Sequence, residues 1–145
     1  MPTVVLKCAA IWASFIPIAI LNGLLREKCF VPLLGNRLAL PLSGISAAAL
    51  FFLLVFFSLP WLGPLKPHQY RLIGLAWLAM TVLFEFLFGR LVARKSWEYL
   101  LQAYDLSTGN LWLLVLLVIA VAPFLAAKLR GLAPCPPDSP HRHKR

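Results

Sequence analysis

Long apolar runs alternate with short polar breaks along this chain, and the breaks set its organisation. No charged residue lies between Lys7 and Arg26, between Arg37 and Lys66, or between Asp105 and Lys128. A helix needs about 20 apolar residues to cross roughly 30 Å of hydrocarbon, so each run is long enough for a membrane span. A fourth run, LIGLAWLAMTVLFEFLFG after Arg71, is interrupted by a single carboxylate, Glu85. The pattern predicts an all-α integral membrane four-helix bundle, with spans near residues 6–25, 38–61, 71–91 and 110–129. The membrane domain then covers residues 1–130. The remaining 131–145 read as a disordered basic tail, rich in Pro, Ser and charge.

Within the spans, several residues predict local geometry. Pro17 falls mid-way along the first span and should kink it. Asn22 and Arg26 close that span one turn apart, on one face. The loop from Arg26 to Arg37 holds Pro32 and Gly35-Asn36 and reads as a short turn-rich link. In the second span, Ser43/Ala47 and Gly44/Ala48 are small-xxx-small pairs that let another helix approach closely, and packing within one chain is the simpler use for them. Trp61 and Tyr70 bracket a Pro-rich second loop as interfacial aromatics. After the third span, Ser96 is placed to cap a helix in which Trp97, Leu100, Leu101 and Tyr104 share one face at i, i+3, i+4 and i+7. That pattern predicts a short interfacial helix between spans 3 and 4, lying along the membrane surface.

Composition sharpens the class. Hydrophobic residues make up 61% of the chain and charged ones 13%, against about a quarter charged in a soluble domain. The formal net charge of +9 would raise nucleic acid as a partner in a soluble protein. Here the cations flank the spans, where they set topology and meet lipid headgroups, so no nucleic acid is expected and the bilayer is the first partner. With four spans, one side of the membrane collects Lys7, Lys66, Arg71, Lys128, Arg130, Arg142, Lys144 and Arg145. The other collects Arg26, Lys28, Arg37, Arg90, Arg94 and Lys95. Eight against six places both termini in the cytoplasm. The first apolar run has no small-x-small cleavage site after it, so it reads as a retained span and not a signal peptide.

Candidate chemistry is sparse. Cys8, Cys29 and Cys135 form no C-x-x-C pair and predict no disulfide framework. Cys135, His141 and His143 lie in the tail without a scaffold, so no metal is expected there. His68 sits in a loop, which disfavours a haem held between spans, and no cofactor is expected. No paired acids, nucleophile-base set or phosphate-binding glycine loop points to an enzyme.

What remains is the intramembrane polar cluster. Glu85 lies towards the Arg90 end of span 3, with Thr81 one turn away. Asn22 and Arg26 end span 1 on that side, and Ser43 and Ser46 begin span 2 there. Glu85 is expected to meet Arg26 or Asn22, with Arg37 and Arg90 as rival partners. A carboxylate inside an apolar helix is costly and marks function by default. One role is a clamp that fixes helix register in a subunit or accessory factor of a membrane assembly. The alternative is a small oligomeric transporter or channel using Glu85.

The segment FEFLFGRLVARKSWEYLLQAYDLSTGNLW, Phe84 to Trp112, resembles one that recurs in small four-span bacterial inner-membrane proteins of unassigned function. The shared features are the FE…FG end of span 3, the SW-x-x-LL-x-x-Y segment and the G-x-LW entry into span 4. The resemblance implies a four-span fold and a bacterial inner-membrane home, and it brings no activity with it.

Overall fold

The structure, a computed structural model, describes residues 2–132 and is helical throughout, with no strand among the described residues. Six α-helices follow in order: α1 (Pro2–Ala13), α2 (Phe15–Leu25), α3 (Val31–Ser58), α4 (Pro67–Leu87), α5 (Trp97–Gln102) and α6 (Trp112–Leu129). Of the expected tail, residues 133–145 lie outside the described residues, and Cys135, His141 and His143 with them.

Three helical stretches are long and apolar enough to cross a membrane: Pro2–Leu62, Pro67–Val92 and Trp112–Leu129. The first has 61 residues. Laid straight, it would run about 90 Å at 1.5 Å per residue, three bilayer cores deep. Its contacts show that it folds back on itself. Lys7 Nζ donates to the Trp61 carbonyl at 2.8 Å, the Phe15 and Phe51 rings stand 5.0 Å apart, and Asn22 Nδ2 donates to the Ser43 carbonyl at 3.0 Å. Partner numbers fall as residue numbers rise, which is the signature of an antiparallel pair.

The reversal is made at Gly35, with φ 75° and ψ 165°. That conformation lies in the region that glycine enters without steric cost. The sequence led us to expect an irregular loop from Arg26 to Arg37. Instead a π-helical turn, Arg26–Phe30, carries the helix on to the Gly35 break. Helical backbone bonds itself, so only the residue that must turn leaves the ladder.

The break between α1 and α2 also has an identifiable cause. Pro17 has no N–H to offer the carbonyl four residues back, which belongs to Ala13, the last residue of α1. Ser14 stands at the break, its hydroxyl bonding back to the Ala10 carbonyl at 3.0 Å.

Two closer approaches tie the rest together. A Cβ at Gly74 of α4 would overlap the Ala120 carbonyl of α6, so these two backbones touch. A Cβ at Gly44 of α3 would lie 2.7 Å from the Leu111 Cβ, where α6 begins. The small face of α3 is therefore spent inside the chain. Ala47, Ala48, Phe51 and Val55 join Val115, Ile119, Ala122 and Ala126 in one core. Trp77 of α4 donates its indole N–H to the Cys8 carbonyl at 3.1 Å and meets Phe15 edge-on, which seats α4 against α1. Outward-facing residues such as Leu33, Phe57, Leu72, Leu83 and Leu117 stay exposed on the outside of the bundle.

Candidate functional site: a cavity beside Glu85

The last turns of α4 carry Phe84, Glu85 and Phe86. A π-helical turn, Phe88–Val92, follows and leads to Arg94, whose φ of 50° is the sole positive value at a non-glycine among the described residues. The chain then reverses into α5. The Ser96 hydroxyl caps that helix by accepting from the Tyr99 N–H at 3.2 Å. Leu100 is buried against Gly89, where a Cβ would meet its Cδ2. Phe86 lies between two rings of the α5 segment, 6.0 Å from Trp97 and 5.8 Å from Tyr104. Trp97 and Leu101 stay exposed, whereas Leu100 and Tyr104 turn inward. The expected single face is thus shared between the bundle and its surroundings.

This folding-back brings Tyr104 to Glu85. The Tyr104 hydroxyl and the Trp112 indole N–H both donate to Glu85 Oε2, each at 2.8 Å. Trp112 is the first residue of α6, and its backbone N–H is held by Asn110 Oδ1 at 3.1 Å. One carboxylate oxygen therefore links α4, the end of the α5 segment and α6. Oε1 carries no hydrogen bond among the described residues. The Tyr104 phenol is pushed above the ordinary tyrosine range, first by burial and then by its hydrogen bond to Glu85 and that carboxylate's charge. It stays protonated and donates.

The structure does not bring the expected polar residues into one cluster. Glu85 meets neither Asn22 nor Arg26, and no Lys or Arg lies within 4 Å of it among the described residues. Arg26 reaches its neighbour Glu27 at 3.6 Å. Arg37 is exposed. Arg90 points outward, donating to the Lys95 carbonyl at 3.3 Å and lying 5.9 Å from the Trp97 ring centre. Long cationic side chains near a helix end extend towards water, and a cation drawn inward would have to give up that hydration.

Asn22, Ser43 and Ser46 do form a set of their own. Asn22 Nδ2 donates to the Ser43 hydroxyl and carbonyl, both at 3.0 Å, and Asn22 Oδ1 accepts from Ser46 at 2.6 Å. Thr81 belongs to a third set, donating to the Trp77 carbonyl at 2.7 Å and accepting from Trp12 Nε1 at 3.1 Å.

Two of these sets, those of Glu85 and Thr81, border a cavity of about 960 Å³. Its inner wall includes Trp12, Phe51, Thr81, Phe84, Glu85 and Trp112, and its rim includes Arg26, Glu27 and Lys95. A smaller space of about 230 Å³, lined in part by Asn22, Ser43 and Asn110, adjoins it through the shared residues Arg26 and Trp112. The size and the mixture of aromatic wall and few polar groups match what small-molecule sites require.

Trp12 and Trp112 are the site residues that the sequence reading passed over, and Tyr104 was read only as part of an interfacial face. One signal was available for Trp112. It opens the last span at the end of the bundle where Glu85 lies, and an indole N–H is a natural partner for a buried acceptor. No group of three or more His, Cys, Asp or Glu is placed to hold a metal among the described residues. No protein-family model matches this chain, and neither does any curated protein or solved structure.

Proposed function

We propose that this chain is a non-enzymatic, four-span membrane protein that takes up a small apolar or amphipathic molecule in its intramembrane cavity, as a transporter or carrier. The observation that carries this reading is the cavity of about 960 Å³ with Glu85 in its wall and no cation within ion-pair distance of the carboxylate. An acid left without a counter-charge inside an apolar helix is costly, and binding a complementary group is one use that accounts for it. The cavity is lined by helices of one chain and opens on one side, so self-association is not a requirement of the reading.

The antiparallel contacts between Lys7 and Trp61 and between Asn22 and Ser43 support dividing the first helical stretch into two spans. With four spans, both termini face the cytoplasm, and the cavity lies in the opposite half of the bilayer. The compartment read here, a bacterial inner membrane, is the one that the resemblance of Phe84–Trp112 implies.

A second reading, a subunit or accessory factor, draws on a specific observation too. Glu85 Oε2 links three segments through two neutral donors, as a structural clamp would. Isolation of tagged protein in a mild detergent, with mass measurement of the intact particle, separates the two. A small non-protein mass retained by the single chain supports the carrier. A stoichiometric second protein, with no such mass, supports the accessory role.

A further inference from the structure

We infer that the cavity selects a hydrophobic amine, a monovalent ammonium on an apolar body, with the cationic group seated at Glu85. The inference rests on the carrier reading and adds the ligand's chemistry to it. Glu85 uses only Oε2 for its two internal hydrogen bonds, and no buried side-chain oxygen is sealed off without a partner among the described residues. Oε1 is therefore accessible, on a residue that lines the cavity.

The two donors that Glu85 does have are a phenol and an indole, both neutral, so they orient the carboxylate without supplying a counter-charge, and no cation lies within ion-pair distance of it among the described residues. The walls beside it are aromatic. Trp12 meets Phe84 edge-on at 5.9 Å, and Phe84 stacks with Phe88 at 5.4 Å. Aromatic faces attract cations, most strongly where water is excluded. A neutral alcohol could satisfy Oε1 but would leave the charge, and an anion would meet it directly. The charged groups at the rim do not supply the missing partner. Arg26 is engaged with Glu27, and Lys95 stands 4.4 Å over the Tyr99 ring.

The test uses the full chain in a neutral maltoside detergent, with radiolabelled dodecyltrimethylammonium as probe and dodecanol and dodecyl sulfate as competitors. The expected result is saturable binding of one cation per chain. Dodecanol and dodecyl sulfate should compete about tenfold or more weakly than unlabelled cation. Glu85→Gln, which keeps an acceptor for Tyr104 and Trp112, should weaken the cation by about tenfold and leave dodecanol unchanged. Equal binding of the cation to this variant overturns the inference. Dodecanol competing as well as the cation also overturns it, while the carrier reading stands. If none of the three amphiphiles binds, the carrier reading falls with it. The competition among amphiphiles needs only the unaltered protein, so it decides the matter even where the variant fails to fold.

Discussion

At the end of the bundle that holds Lys7 and Trp61, Tyr70 and Trp77 are almost fully buried, at 0% and 1% exposure. The Tyr70 hydroxyl closes its own loop, donating to the Gly63 carbonyl and accepting from the Leu65 N–H, both at 3.2 Å. Gly74 lies directly on the backbone of α6. At the end that holds Asn22 and Glu85, paired aromatic rings border an open volume and polar side chains bridge helices beside it. Both ends use aromatic residues with hydrogen-bonding tips. At the first end the tips reach backbone carbonyls and the rings fill space. At the second they reach side chains, Thr81 and Glu85, and the rings line space. Rings anchored to backbone make a floor, whereas rings anchored to other side chains leave room beneath them.

The contrast can be broken most severely at the packed end. Gly74→Leu should drive α4 off the α6 backbone and cost about 3 kcal/mol or more, read as a collapse of thermal stability in detergent. At the open end, Glu85→Leu should cost about 1–3 kcal/mol, because it strands the Tyr104 and Trp112 donors. Glu85→Gln should stay within about 0.5 kcal/mol of the parent, since its carbonyl accepts from both. A Gln variant as unstable as the Leu variant would mean that the charge itself holds this end together. Asn22→Leu should cost only about 1 kcal/mol, because Ser46 retains its bond to the Ser43 carbonyl.

The smallest effect is a pH dependence. Tyr104 is held protonated in the fold above its unfolded pKa, so the folded state binds more protons once pH passes the ordinary tyrosine range. Its contribution is complete below that range and is lost as pH rises towards the folded pKa. Alkaline unfolding curves should therefore steepen above about pH 10, the unfolded tyrosine value, and Tyr104→Phe should remove that part of the slope.

The helices and their polar breaks were legible because outward-facing and core-facing residues alike are apolar, so charge-free runs mark the long helices and charges mark the breaks. Pro17 and Gly35 could be read singly, since each acts on its own backbone. The partners of Glu85 could not. Opposite charge suggested Arg26, but hydration holds that side chain at the rim, beside Glu27. Tyr104 looked like one member of an apolar stripe, and nothing in a helical period says that its ring rotates inward onto Phe86. A cavity is harder still to foresee, because it is a property of how helices diverge and not of any one residue.

The pairing of Glu85 also imposes an order in time. Its donors lie 19 and 27 residues further along the chain. Chains are made N-terminus first, so Glu85 is synthesised before Tyr104 or Trp112. During that interval the acid sits in an apolar helix with neither of its donors to receive it. A nascent chain arrested before Tyr104 would carry this carboxylate without either hydrogen bond, and only the arrival of Trp112 at the start of α6 would complete the pair at Oε2. Pairing of Glu85 Oε2 and arrival of α6 become one event, so a chain cut before Trp112 would differ from one that carries α6 by an acid lacking its indole donor.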